Sequence, residues 1–389
     1  MKSGDDYVTL TAVGDIMLGW GVEERIKAGT GRYPFDSVAP ILQSSDITFG
    51  NLEAPLTTEQ KKAVWDYTKI LDKPVMIDGK MYGSSIYCKA DPIAAERLSR
   101  AGFNVLSIAN NHIMDYGEEG LYDTIYSLSK NNIAYVGAGK DLFSARVPKI
   151  FEIKGIKIGF LAYCDTYVAG KRKAGVAPTS KINEDINNLK ILADHVIVSI
   201  HQGSDISEYP SRREIDFLHM IIDQGAILVL RHHPHVVQGM EYYKKGLILY
   251  SLGNFVFDFT IDPLWKDIEK ARSAIIFKCI ISKEGITKSD IIPVHLNNLF
   301  QPEPLVGDEK FLFLKQFNGL STKIAKIEKN EIQKNGLNII QVEIILAYHV
   351  LLASIKKRQF QNVLLILKRI DKERIRLVAK LIKQNGLMK

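Results

Sequence analysis

The sequence predicts an α/β fold over residues 8–300, and three observations predict it. Short apolar runs rich in Val, Ile and Leu alternate with segments of helical spacing, the pattern of buried strands joined by helices. Glycines close two of the helical segments, Gly102 after 92–101 and Gly225 after 214–223. Polar residues able to bind metal stand directly after several of the apolar runs.

In chain order, residues 8–13 form a strand that ends at Gly14-Asp15. A helix over 92–101 leads to a strand over 104–108, and a helix over 120–130 leads to a strand over 133–136. Residues 150–153 and 156–162 flank Lys154-Gly155, the turn of a hairpin. The β-branched run 195–200 is a buried strand that stops at His201. After the 214–223 helix come strands at 226–230 and 247–252, the last ending at Gly253-Asn254. Pro302, Pro304 and Gly307 mark a linker, which divides the chain into a 1–300 domain and a basic helical extension over 301–389.

At 389 residues, 46% hydrophobic and 24% charged, the composition is that of a globular protein with a sizeable core. Cys88, Cys164 and Cys279 lie far apart with no CxxC pair, which argues against a disulfide framework or a cysteine-based zinc site and reads as buried free thiols. No secretion signal is visible before Val8, and no window of 18 uninterrupted apolar residues occurs, so a cytoplasmic protein is expected. The net charge of +7 resides in the tail: residues 321–389 hold 15 Lys/Arg against 5 Asp/Glu. Within it, 356–383 sets basic residues among apolar ones at helical spacing. That pattern suits a helical hairpin with a solvated basic face, or contact with a membrane surface or an anionic polymer. Nucleic acid is disfavoured, because no aromatic interleaving accompanies the charge.

Asp15, Asn110-Asn111-His112, His201 and His232-His233-Pro234-His235 each follow a predicted strand. Ligands of open α/β sheets bind at the carboxyl ends of strands, so these groups can converge although they span more than 200 residues. Carboxylate and imidazole donors suit a pair of Mn, Fe or Zn ions, which activate water and clamp an ester oxygen. Taken singly, Asp15 reads equally as a helix cap, the asparagines as turn residues, and a lone histidine as a hydrogen-bonded core residue. The 233–235 pair is more telling, because alternate residues of an extended segment point the same way and Pro234 keeps His233 extended. His112 beside the site is a proton donor or a stabiliser of developing charge.

Several strings resemble the CapA family of capsule and poly-γ-glutamate synthesis proteins. They are GDIMLG at 14–19, DITFGNLEAP at 46–55, ANNHIMDYG at 109–117, HQG at 201–203, HPHVVQ at 233–238 and YSLGNFVF at 250–257. The resemblance implies a fold similar to the calcineurin-like metallophosphatases, a β-sandwich flanked by helices. It implies a metal site lined by Asp15, Glu53, Asn111, His201, His233 and His235, with His112 as acid and Asp115 orienting it. Asn254, Asp205 and Arg231 are expected to contact substrate, Arg231 either as a clamp on its anion or as a side chain that crowds the site. Met17 stands where such metallophosphatases carry a histidine.

These readings leave three functions open. One is a di-metal hydrolase acting on an anionic polymer or its precursor. Another is a non-catalytic component of a polymer synthesis or export complex, reached through the basic tail. The third is a phosphodiesterase without a capsule role.

Overall fold

The computed structural model describes residues 7–29, 31–63, 75–77, 80–82, 87–261 and 268–327. The chain divides into two compact units, one made of Met1–Lys61 with Cys88–Glu331 and the other of Lys62–Tyr87 with Ile332–Lys389. In the second, Val75–Ile77 and Lys80–Tyr82 pair as an antiparallel hairpin.

The first unit is a sandwich of two mixed sheets. Its larger sheet has eight strands, with Val8–Ile16 at the middle. On one side of that strand Ile47–Leu52, Val105–Ser107 and Ala134–Val136 follow in parallel; on the other Ser273–Ser282 runs antiparallel to it and Gly285–Leu296 antiparallel to Ser273–Ser282. Asn254–Val256 joins in parallel at the far end of the central strand, pairing Asp15 with Asn254. The second sheet has six strands: Ile156–Tyr163, His195–His201, Ala226–His232 and Gly246–Leu249 are parallel, with an antiparallel strand at each edge.

The parallel strands are buried along nearly their whole length, which is why they read as unbroken apolar runs rather than alternating ones. Between the sheets Phe49 stacks on Phe160 with ring centroids 5.8 Å apart, and Phe151 meets Phe160 edge-on. The core built around them takes residues from both sheets, among them Leu10, Val105, Ile197 and Leu228.

Local chemistry sets the boundaries. Arg212–Gln224 begins with a capping box, Ser211 against Glu214, and ends at Gly225 in the left-handed conformation (φ 117°). Ala94–Ala101 closes the same way on Gly102 (φ 106°). Lys154 and Gly155 both have positive φ, the two-residue turn whose twist suits the Lys149–Ile153 and Ile156–Tyr163 hairpin.

The observed elements differ from expectation at a few ends. The first strand runs on to Ile16, so Asp15 lies within it, held by pairing to Asn51 and Asn254 on its two sides. The strand expected at 247–252 ends at Leu249. Pro302–Pro304, read as linker, pairs as an edge strand with Gly285–Leu296, a position where proline's missing N–H leaves no partner unsatisfied. The helix Gly307–Ile324 follows it within the first unit. The amphipathic basic segment 356–383 lies outside the described residues. All three cysteines are buried and free. Among the described residues, no helix is long and apolar enough to cross a membrane.

Candidate metal centre

The carboxyl ends of parallel strands from both sheets meet at one place. Asp15 comes from the central strand, Asn51 and Glu53 from the end of Ile47–Leu52, and Asn111 and His112 from the loop after Val105–Ser107. The second sheet supplies His201 and His232 as the last residues of their strands, with His233 and His235 just beyond.

Asn51 ties the two sheets together. Its Nδ2 donates to Asp15 Oδ1 at 2.8 Å and lies 3.2 Å from His201 Nδ1. That nitrogen therefore accepts, and His201 turns Nε2 toward Asn111 Oδ1 (2.8 Å) and Glu53 Oε1 (3.4 Å). His235 is fixed by Asn254. The Asn254 Nδ2 donates to the carbonyls of His235 and Ala271, so its Oδ1 accepts from His235 Nδ1 at 2.9 Å. His235 Nε2 then faces Glu53 Oε1 at 3.6 Å. His232 Nδ1 stands 3.3 Å from Asp15 Oδ1, within ion-pair range.

His233 and His235 do not project from an extended segment, as the sequence suggested. Their φ angles are 94° and 59°, a conformation that costs about 1–3 kcal/mol at a non-glycine residue. The bend is held by contacts at both ends: His233 N–H donates to Asp15 Oδ2, and Pro234 O accepts from Ile206 N–H. It still brings the two imidazoles together, with ring centroids 5.6 Å apart.

Glu53, His201 and His233 offer ligand atoms that all lie within 4.8 Å of one another, and so do Asp15, Glu53 and His235. Both sets contain Glu53, which is 1% exposed and has neither carboxylate oxygen hydrogen-bonded. His233 Nδ1, Asn51 Oδ1 and both ring nitrogens of His232 are likewise buried without a hydrogen-bond partner. Leaving such atoms unsatisfied costs about 1–3 kcal/mol each, more for a charged group, so a cluster of them calls for a partner. Oxygen and imidazole donors of this kind fit a divalent cation of the Mn, Fe or Zn class.

The electrostatics agree. Burial acts to raise Asp15, but His232, His235 and His201 outweigh it and hold its carboxyl well below the usual range. Burial pushes Glu53 up to about 7, with Asp15 adding to the effect and His235 opposing it. Burial keeps His201 well below the ordinary imidazole value and takes His233 down to about 4, so both imidazoles are neutral at physiological pH. Burial also opposes protonation of His235, but Glu53 and Asp15 outweigh it and raise its pKa.

His112 lies beside this set. Its Nδ1 is 2.8 Å from Asp115 Oδ2, the same oxygen that accepts the Cys88 N–H at 2.8 Å. Burial disfavours the imidazolium, yet Cys88 and Asp115 hold His112 well above its ordinary pKa, as a proton donor needs.

Two expected substrate contacts have other partners. Arg231 is 2% exposed, and its guanidinium contacts Glu214, Gln238 Oε1 (3.0 Å) and the Tyr250 carbonyl (3.2 Å), so no face of it is open to a substrate anion. It neighbours His232 on one strand, and successive strand residues point to opposite faces. Asn254 is fully buried and positions His235. Asp205 is half exposed at the rim, with Oδ1 3.4 Å from His233 Nε2. Met17 is turned to the backbone, its sulfur accepting the Gly19 N–H. Sequence reasoning passed over Asn51 and the contact of His232 with Asp15. The period of two along Asn51-Leu52-Glu53 could have found the first, since it places both polar side chains on one face.

Residues 9–259 match the family of the bacterial capsule synthesis protein PGA_cap. The chain is 31% identical over 352 residues to the capsule biosynthesis protein CapA of Bacillus anthracis, covering 87% of this chain and 80% of that one. It is 30% identical over 311 residues to the PGA biosynthesis protein CapA of Bacillus subtilis (strain 168), covering 78% and 75%. Among solved structures, a phosphatase from Mycoplasma pneumoniae aligns with a TM-score of 0.43 at 14% identity, over 75% of this chain and 94% of that one. The family match covers every strand end that contributes to the centre, and with the two CapA relatives it shows that the chain belongs to the bacterial capsule synthesis protein family PGA_cap.

Proposed function

We propose that this chain is a metal-dependent hydrolase of capsule or poly-γ-glutamate biosynthesis, acting on an anionic polymer or its precursor through two divalent ions of the Mn, Fe or Zn class. The observation that carries the reading is Glu53. It is a fully buried carboxylate with both oxygens lacking hydrogen bonds, and it is common to two ligand sets, one with His201 and His233 and one with Asp15 and His235. A carboxylate so placed can serve both ions. Asn111 and Asp205 complete the donors on either side. The names of the two Bacillus relatives support the capsule and polymer setting.

A bound ion pair supplies a water of lowered pKa and a Lewis acid for the scissile group. The chain's own residues do the rest. Asn254 fixes Nε2 as the nitrogen His235 presents, and Asn51 anchors Asp15 Oδ1. Asp15, held ionised by three histidines, keeps the net charge of the centre suited to cations. His112 holds a proton on the ring nitrogen opposite Asp115 and gives it to the leaving oxygen. The basic 301–389 extension supplies contact with the anionic polymer, a membrane surface or the synthesis complex.

Elemental analysis of the purified chain beside His233→Ala tests the centre. About two ions per chain are expected, falling in the variant, with turnover lost on chelation and restored by Mn²⁺. A wild-type chain that takes up no Mn²⁺ or Zn²⁺ overturns the hydrolase reading. Full metal content without turnover on any polymer or phosphodiester substrate favours the non-catalytic component instead.

A further inference from the structure

Cys88, His112 and Asp115 form a cluster of their own beside the oxygen-rich centre. Their ligand atoms (a thiol sulfur, a ring nitrogen and a carboxylate oxygen) all lie within 4.8 Å of one another. Cys88 and Asp115 are each 1% exposed, while the His112 side chain retains 17%, which leaves an approach from one side. The cluster is braced before any ligand arrives: the Cys88 backbone N–H donates to Asp115 Oδ2, and the same oxygen holds His112 Nδ1. Cys164 and Cys279 are also buried, but neither belongs to such a cluster among the described residues.

We propose that Cys88, His112 and Asp115 are a separate site for a thiophilic divalent cation, Zn²⁺ or Cd²⁺, and that its occupancy withdraws His112 from proton transfer. The chemistry divides the two sites. Glu53, Asp15 and the imidazoles offer oxygen and nitrogen, which Mn²⁺ accepts, whereas a thiolate with one imidazole and one carboxylate favours the softer ions. One thiolate, one nitrogen and one oxygen make three ligands of a tetrahedral ion, with the exposed side of His112 leaving the fourth place to water. Binding replaces two protons, one from the Cys88 thiol and one from His112, and both pass to solvent. The cation then replaces the proton between His112 Nδ1 and Asp115, which leaves a neutral imidazole whose Nε2–H is a far weaker acid toward a leaving oxygen than the imidazolium. The inhibitory consequence rests on the hydrolase reading; the binding does not.

The test is a Cd²⁺ titration of the full-length chain preloaded with Mn²⁺, followed through the ultraviolet thiolate-to-cadmium charge-transfer band. One band-forming Cd²⁺ per chain is expected, absent in Cys88→Ala and unchanged when Cys164 and Cys279 are both replaced by serine. His112→Asn, which keeps the thiol, should weaken Cd²⁺ binding at least tenfold and so covers the case in which Cys88→Ala does not fold. Mn²⁺ content should be the same in wild type and Cys88→Ala, which separates this site from the main centre. No band in the wild type, or a band that survives Cys88→Ala, overturns the proposal whatever becomes of the hydrolase activity.

Discussion

His235 Nδ1 donates to Asn254 Oδ1 at 2.9 Å, and that bond decides which face of the imidazole the centre receives. Asn254 is itself locked, because its Nδ2 donates to two backbone carbonyls and cannot exchange places with Oδ1. Partners of this kind orient a ligating histidine and typically contribute 10–100-fold in metal affinity. Asn254→Ala should therefore fold with both sheets intact yet bind Mn²⁺ roughly 10–100-fold more weakly, as read by metal titration. An unchanged affinity would mean that His235 is not a ligand.

Metal uptake should depend on pH through Glu53. Burial raises its carboxyl to about 7, so at pH 6 the metal-free chain carries a proton there that a cation must displace. Raising the pH removes that competitor, and the raised His235 acts with the same sign, whereas His201 and His233 are already neutral and contribute little. Apparent Mn²⁺ affinity is expected to increase about tenfold or more from pH 6 to pH 8, with protons released on binding at the lower pH. Calorimetry in two buffers of different ionisation enthalpy measures that release. A flat affinity across this range would show that the cation displaces no proton from Glu53, so that Glu53 is either ionised without metal or not a ligand.

Much of this centre was legible because strands buried on both faces announce themselves as apolar runs, and a polar residue ending such a run has few bland reasons to be there. Asp15, His201 and His233 were found in that way. Glu53 was reached only through resemblance, since an acidic residue between Leu52 and Ala54 reads locally as a turn. Arg231 was misassigned for a definite reason. Its neighbours in sequence are site residues, but its partners Glu214, Gln238 and Tyr250 arrive from a helix cap and two later segments, which spacing along the chain does not reveal. The left-handed turns at His233 and His235 were also hidden, because tertiary contacts with Asp15 and the Ile206 loop override the extended preference before proline.

Arg231 should behave as a structural ion-pair partner. Its removal leaves Glu214 without its cation, and Glu214 also closes the capping box of the Arg212–Gln224 helix. Breaking a buried pair from one side costs about 3–5 kcal/mol, so Arg231→Ala should lower the urea midpoint sharply. Arg231→Lys should recover only part of the loss, because a single ammonium cannot reach three acceptors in a fork. Folded Arg231→Lys should retain its metal. Unfolding curves beside metal content separate this from a substrate clamp, which would leave the midpoint alone and raise KM.

Gly14 precedes the first ligand, and its role is steric. A Cβ built there would stand 1.9 Å from the Gly253 carbonyl oxygen and 2.9 Å from its carbon, and the obstacle is backbone that cannot rotate away. The close approach exists because Asp15 N–H donates to that same carbonyl at 2.9 Å, which sets Asp15 in register with Asn254 and so with His235. Overpacking of a core typically costs about 1–3 kcal/mol, and a backbone clash belongs at or beyond the top of that range. Gly14→Ala should destabilise the chain by about 3 kcal/mol or more, and the fraction that folds should lose metal because Asp15 is displaced from Asn51 and His235. Gly155→Ala is the contrast: its added carbon meets nothing within 4 Å, and only the left-handed turn (φ 73°) opposes it. It should cost about 1 kcal/mol, the scale of forcing a side chain into that conformation, and leave metal content untouched. If the two substitutions lower stability equally, or if Gly14→Ala keeps its full metal load, the contact between the two strands is not what places Asp15.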